Sequence, residues 1–351
     1  MSQAQLELLD QFQRDFPLCP RPYAAIAQRL GLTEAGVIVA LRRLQARGRV
    51  SRVGATLVPG RVGAATLAAL AVPGGRLENV AALINGYREV NHNYEREHEF
   101  NLWFVVTAAN RERVQAVVRD VERRARCGKV LELPMVEAYH VDLGFRLGAG
   151  EAAQRRAANP APASSLRKAP CVLSAPERAI LAALQDGVPL TARPYAEIGL
   201  RCAVGEETVI AELGRMLRER VIARLGVIVR HRALGYRANA MVVWDVPNVE
   251  VRAVGSKVAR ADFVTLCYRR LRHLPHWRYN LYCMIHGTTR EEVAAHIAEL
   301  TERAGLARCP RAVLYSRRCF KQRGARYVEE ETHGRDRPPD SESDAERISD
   351  H

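Results

Sequence analysis

No stretch of this 351-residue sequence approaches the roughly 18 uninterrupted apolar residues that a membrane helix needs, so a spanning helix is not expected. No C-x-x-C pair occurs either. The eight cysteines (Cys19, Cys127, Cys171, Cys202, Cys267, Cys283, Cys309 and Cys319) stand singly, which excludes a dithiol redox motif and the usual zinc or iron–sulfur spacings and predicts reduced, structural thiols. The opening residues MSQAQLELLDQF lack the basic start, apolar middle and small-residue cleavage site of a secretory signal, so a cytoplasmic location is expected. Acidic residues are also in deficit, 39 against 53 Lys and Arg, for a net charge of +14. That balance implies an anionic partner, and nucleic acid, an acidic membrane surface or a polycarboxylate ligand would each fit it. The length suits about two to four compact domains, and the 48% apolar share is ordinary for globular chains.

The sequence repeats itself. Arg21-Pro22-Tyr23-Ala24-Ala25-Ile26 returns as Arg193-Pro194-Tyr195-Ala196-Glu197-Ile198, and Gly48 to Gly54 aligns with Arg220 to Gly226 at the same offset. Val72-Pro73 answers to Val246-Pro247, Asn93-Tyr94-Glu95-Arg96 to Cys267-Tyr268-Arg269-Arg270, and Asn101-Leu102-Trp103 to Asn280-Leu281-Tyr282. Two such halves imply duplication of a dimer-forming ancestor, an internal pseudo-dimer.

Each half reads as two parts. Apolar periodicity predicts helices over 6–16, 23–30 and 34–46 and an alternating strand over 50–58, a winged helix-turn-helix. Strands over 64–72, 90–95, 101–107 and 130–138 enclose helices over 77–86 and 111–125, the strand-helix-strand-strand-helix-strand order of a ferredoxin-like α+β domain. The second half repeats that order over 239–246, 249–261, 263–270, 279–286, 289–304 and 312–321. The expected boundaries are therefore 1–60 and 61–147 for the first pair, 148–173 for an Ala/Pro/Ser-rich linker, 174–231 and 232–328 for the second pair, and 329–351 for an acidic disordered tail. Ser174-Ala175-Pro176-Glu177 is a capping box that opens the second half. Open sheets of this kind pair edge to edge or face to face, which predicts a cleft shared by the halves.

The architecture resembles the Lrp/AsnC regulators, a winged helix followed by a ligand-sensing α/β domain. Longer motifs resemble one branch, the siroheme decarboxylase subunits of the haem d1 and alternative haem pathways. They are His92-Asn93-Tyr94-Glu95-Arg96-Glu97-His98 with Asn101-Leu102-Trp103-Phe104, Arg230-His231-Arg232-Ala233-Leu234-Gly235-Tyr236, Tyr279-Asn280-Leu281-Tyr282-Cys283-Met284-Ile285-His286, and Arg318-Cys319-Phe320-Lys321-Gln322-Arg323-Gly324-Ala325-Arg326-Tyr327. The resemblance implies a carboxy-lyase that takes carbon dioxide from two acetates of siroheme to give 12,18-didecarboxysiroheme for haem d1 and denitrification. Each half is similar to one subunit type of a pair. It implies no cofactor beyond the iron that the substrate carries, and it names other haem d1 decarboxylase subunits, or a second copy of the chain, as candidate protein partners. Neither DNA nor a membrane is among the expected partners.

Siroheme bears eight carboxylates, and arginine suits them because its planar fork binds a carboxylate through two hydrogen bonds. Loss of carbon dioxide leaves a carbanion-like methylene that an acid must protonate, a task for His or Tyr. Strand periodicity sets His92, Tyr94, Arg96 and His98 on one face and Asn91, Asn93, Glu95 and Glu97 on the other. With the resemblance, His92, Tyr94, His98 and Tyr268 become the catalytic candidates and Arg96, Asn101, Arg269 and Arg270 the substrate-binding ones. Tyr268 and Arg270 share a face, with Arg269 opposite. His92 is also a candidate iron ligand, and His231 is a second one. Leu266 stands where the first half has His92, so the two pockets are not equivalent. His273 and His276 flank Pro275 in an expected surface loop, and His286 is expected to be structural.

The competing class is a DNA-binding regulator, supported by the winged helices and by Arg42, Arg43, Arg47, Arg49 and Arg52 around the first recognition helix and wing. Against it, the second recognition helix opens on Glu206 and Glu207, beside phosphates that would repel them.

Overall fold

The computed structural model describes residues 1–141, 144 and 170–328. The predicted linker, apart from residues 170–173, and the predicted acidic tail lie outside the described residues. Three helices open the chain, α1 (Gln3–Gln11), α2 (Pro22–Leu30) and α3 (Glu34–Ala46), followed by the wing strand β1 (Val50–Leu57). Local chemistry sets their ends: Ser2 forms a capping box with Gln5, Pro22 occupies the first turn of α2, and Gly31 stops it at φ 64°. The second half begins the same way with α6 (Ala175–Ala183), α7 (Pro194–Cys202), α8 (Glu206–Arg218) and β6 (Ile222–Val229). Its capping box is present, Ser174 N donating to Glu177 Oε2 at 2.7 Å.

The wings depart from the winged-helix expectation. Neither folds back on itself as a hairpin. β1 pairs antiparallel with β6, Gly54 opposite Gly226, so one two-stranded sheet is built from both halves. The helical cores merge as well, with Leu8, Tyr23, Leu41, Ile180, Tyr195 and Leu213 in one buried cluster. Symmetric bonds stitch it: Tyr23 OH donates to Pro189 O and Tyr195 OH to Pro17 O, each at 2.9 Å.

The α+β parts follow. The first comprises β2 (Ala64–Leu70), α4 (Leu77–Asn85), β3 (Val90–Arg96), β4 (Leu102–Ala108), α5 (Arg111–Ala125) and β5 (Leu131–Val141). The second comprises β7 (Ala238–Trp244), α9 (Val251–Val258), β8 (Val264–Arg270), β9 (Leu281–Gly287), α10 (Arg290–Arg303) and β10 (Arg311–Gln322). The sheets meet along both edges and close into an eight-stranded barrel, β10-β3-β4-β2-β5-β8-β9-β7. The long strands make the closure. Residues 131–134 of β5 pair with β2, and from Met135 the same strand pairs with β8. β10 pairs with β7 through Tyr315 and with β3 from Ser316 onward. Closure removes the four edges that two open sheets would expose. α4 and α5 cover one half of the barrel's outside over Leu70, Phe104 and Val106, and α9 and α10 cover the other over Val242, Cys283 and Ile285.

Candidate active site

The inner face of the barrel follows from strand period and register. Tyr94 lies opposite Trp103 and His92 opposite Val105, while Asn93 and Glu95 turn outward. Asn93 donates to Ala81 O and Asn85 Oδ1 under α4, and Glu95 pairs with Arg318. In the second half Tyr268 lies opposite Tyr282, and Leu266 opposite Met284. The lumen is thus lined by Trp103, Met241, Tyr268, Trp277, Tyr282 and Leu314, all buried. It is mostly apolar and aromatic, and Arg96 and Arg270 bring two guanidiniums into it.

Arg96 and Arg270 occupy matching places and are 8% and 6% exposed. Arg96 Nη1 donates to Leu314 O at 3.1 Å, Arg270 Nη1 donates to Leu133 O, and each thereby reaches a strand of the other half. Arg96 lies 5.7 Å from the Tyr94 ring centroid and Arg270 4.6 Å from that of Tyr268. Neither Nε has a partner, and among the described residues no carboxylate pairs with either arginine. A buried charge without a counterion is costly, so two of them in one apolar lumen make a site shaped for an anion with several acid groups.

The Tyr94 and His92 rings stack with centroids 6.2 Å apart. His92 Nδ1 lies 3.0 Å from Asn91 Oδ1. A carboxamide oxygen only accepts, so Nδ1 carries the proton and the Nε2 lone pair is the free one. Burial, then the Arg52 and Arg96 guanidiniums, push the imidazole down to about 4, which keeps it neutral at ordinary pH. Burial and the neighbouring Cys319 thiol hold the Tyr94 phenol well above the usual tyrosine value, against the pull of Arg96 and Arg232. The first half therefore sets a protonated phenol beside a neutral imidazole and a guanidinium without a carboxylate partner.

Three predicted positions differ. β3 ends at Arg96, and Glu97 N bonds across to Tyr315 O, so His98 leaves the strand face. It accepts from Phe100 N at 3.1 Å and packs edge-on to Trp277 at 5.3 Å. Asn101 does not face the lumen with a free amide. Its Oδ1 accepts from Val72 N and its Nδ2 donates to Val72 O, at 2.9 and 2.8 Å, which occupies the side chain in tying β4 to the end of β2. Asn280 brackets Val246 identically. Arg269 points outward, as its alternation with Tyr268 and Arg270 requires, and donates to Asn248 Oδ1 at 3.3 Å. His231 opens the 3-10 turn His231–Leu234 after the second wing. His273 and His276 are exposed in a loop, and His286 is buried with Nδ1 3.0 Å from Thr265 Oγ1.

Residues not singled out for the site converge on it. Asn91 fixes the tautomer of His92, and the charge of Arg52, grouped above with a basic recognition surface, helps to hold the His92 imidazole below its usual value. Register with the catalytic candidates was the available signal for Asn91, but Arg52 comes from a different sheet and nothing local in the sequence links it to β3. Parts of the recognition surface are engaged internally. Arg42 donates to Leu190 O at 2.8 Å, and the first-turn carboxylates Glu34 and Glu206 are ion-paired to Arg21 and Arg193.

A cavity of about 590 Å³ is lined by Leu67, Val105, Met135, Tyr327 and, of the site candidates, Arg270 alone. Its size falls in the range of small-molecule and cofactor sites, about 300–1,000 Å³. Residues 61–140 and 233–321 match the family described as AsnC-like ligand binding domain, and 6–50 and 177–222 that described as Siroheme decarboxylase NirDL-like HTH domain. The chain is 42% identical over 330 residues, 94% of its length, to a Paracoccus denitrificans (strain Pd 1222) protein described as Siroheme decarboxylase NirDL subunit, of which it covers 98%. This chain belongs to the siroheme decarboxylase NirDL family. In Stutzerimonas stutzeri a family member described as Siroheme decarboxylase NirD subunit is a chain of its own, 50% identical over 142 residues, which are 40% of this chain and 92% of that one. Among solved structures of the family, a siroheme decarboxylase NirDL in co-complex with an iron-uroporphyrin III analogue superposes with TM-score 0.64 at 28% identity, over 93% of this chain and 94% of that one.

Proposed function

We propose that this protein is a siroheme decarboxylase that removes carbon dioxide from two acetate side chains to give 12,18-didecarboxysiroheme for haem d1. The single observation that carries this reading is the pair of buried arginines, Arg96 and Arg270, without acidic partners in an aromatic lumen. Such a lumen suits a flat macrocycle with carboxylates at its rim. The arginines hold carboxylates that the reaction keeps, because a salt bridge to the departing one would stabilise it against loss. The scissile carboxylate lies against apolar walls such as Trp103 and Met241, where exclusion of water favours the neutral product. As the carbon–carbon bond breaks, its electrons pass to the methylene carbon and into the ring, and carbon dioxide leaves. The Tyr94 phenol then donates the proton that makes the methyl group, and His98 is the second candidate for that role. His92 offers Nε2 to the substrate's iron, with His231 as the alternative ligand. Tyr268 and Arg270 line the half that lacks this histidine and serve binding.

The iron travels with the substrate, so the chain brings no cofactor of its own to the reaction. All eight cysteines are free, in keeping with the reducing cytoplasm as its site of action. The fused halves act as an intramolecular pseudo-dimer, with separate decarboxylase subunits or a second copy as candidate partners.

Anaerobic incubation with siroheme, followed by mass analysis of the tetrapyrrole, tests the activity. Two successive losses of carbon dioxide are expected. An unchanged mass, together with salt-sensitive and sequence-specific binding to a DNA duplex, would replace the enzyme with a regulator.

A further inference from the structure

The repeat places Arg52-Val53-Gly54 in the first wing and Arg224-Leu225-Gly226 in the second. The two arginines are used differently. Arg224, 9% exposed, donates through Nη1 to the main-chain carbonyl of Gln13 at 2.8 Å. The counterpart of Gln13 at the same offset is Gln185, and Arg52 makes no matching bond to it. Among the described residues the Arg52 side chain donates no hydrogen bond at all, and its Nε is buried without a partner. Asp186 attracts it through space but is itself ion-paired with Arg326 at 3.0 Å.

The side chain runs through a slot walled by three glycines. A Cβ added at Gly54 would stand 3.0 Å from Arg52 Nε, and one at Gly187 3.1 Å from Arg52 Cβ. One added at Gly324 would meet the guanidinium at 2.6 Å. These glycines come from three separate segments: the wing itself, the turn after α6, and the stretch that follows β10 as it passes back over the first half. Only at Gly324 is that closer than real Cβ atoms come; at Gly54 and Gly187 Arg52 would have to give by a few tenths of an ångström, so the three glycines leave room for this path of Arg52. The Gly324 wall sets the guanidinium beside the end of β10, two residues past Gln322, the register partner of His92.

The geometry points to Arg52 as a further substrate-binding residue, delivered by the wing into the pocket of the first half, where it grips a carboxylate that the reaction retains. The inference rests on siroheme as the substrate. It also gives the wing a use other than DNA: the strand that would brush a duplex backbone instead carries a finger into the barrel. Arg224, tied to Gln13, is the structural copy, and Arg52 is the copy released for binding.

Titration of the full chain with iron-uroporphyrin III, beside steady-state turnover of siroheme, tests this. Arg52→Gln is expected to weaken binding and raise KM by about 10- to 100-fold, the effect of one charge-assisted fork, with a smaller change in kcat. Arg52→Lys keeps the charge without the fork and is expected to fall between the two. Gly324→Ala crowds the guanidinium and is expected to weaken binding although Arg52 is still present. The melting temperature of Arg52→Gln should stay near that of the unaltered protein, whereas Arg224→Gln should lower it by leaving Gln13 O without its donor. Unchanged affinity in Arg52→Gln, or a loss of stability equal to that of Arg224→Gln, would overturn the assignment. If the unaltered protein itself neither binds the iron porphyrin nor changes siroheme, the substrate reading fails and the role of Arg52 falls with it. Binding and turnover by the unaltered protein, with Arg52→Gln indistinguishable from it, would sink the Arg52 role alone.

Discussion

The two halves share a scaffold and differ in their pockets. Both present a tyrosine and a buried arginine one strand-step apart, Tyr94 with Arg96 and Tyr268 with Arg270, and both bracket a backbone amide with an asparagine. Only the first adds an imidazole, since Leu266 stands in the place of His92, and only the first has an untethered wing arginine. Residues that let the halves build one barrel and one helical core have stayed alike, because each contact is made twice. Some residues that face the lumen, His92 and Leu266 among them, are under no such demand and have diverged.

The contrast is broken most directly at the phenols. Tyr94→Phe removes the proposed acid with little change in shape and is expected to cut kcat by about 100-fold or more, a usual scale for a lost general acid. Tyr268→Phe should cost less than about tenfold on the same assay. Equal losses would mean that both pockets take part in the chemistry, and a near-normal Tyr94→Phe would move the proton to His98.

The pH profile gives a finer test. With the Tyr94 phenol held above its usual value and His92 pushed down to about 4, kcat should be level between about pH 5 and 9. A fall in rate as pH rises through the ordinary histidine range would identify an imidazolium as the acid. Stability should follow a different curve. His92, His98 and His140 are all lowered by burial, so the unfolded chain takes up protons that the folded chain refuses. Their contribution is complete above about pH 6.5 and is lost as the pH falls toward 4. Replacing His92 with Asn should flatten part of that decline in acid melting curves.

The smallest expected difference lies at Asn101 and Asn280. Alanine at either position strands an N–H and a C=O at the end of a strand and should cost about 1 to 3 kcal/mol of stability. The two losses should be similar, with KM unmoved. A large rise in KM for Asn101→Ala alone would return that residue to the substrate.

How far the sequence could be read depends on the distance over which each feature is determined. Helices such as α3 and α5 carry their caps and apolar stripes locally, and their extents over 34–46 and 111–125 agree with periodicity. The inward turn of His92, Tyr94 and Arg96 is also local, since strand period fixes it. His98 broke the pattern because β3 stops at Arg96, a limit set by pairing with β10 from the far end of the chain. The second stretch of β5, Met135–Val141, was legible only as far as residue 138, because its partner β8 belongs to the other half. Asn101 looked like a ligand group because a carboxamide suits a substrate as well as it suits a backbone. The pairing of wing with wing, and the course of Arg52 between three glycines, arise from segments more than a hundred residues apart, and no window of sequence contains them.

A barrel with a seam on each side has no half that can hold a ligand alone. Made as separate chains, the same strands would form a lumen only after two molecules meet, so the amount of working pocket would rise and fall with dilution. One continuous polypeptide turns that encounter into an internal step at high effective concentration. The barrel then exists as soon as its own chain has folded, however scarce it is in the cell.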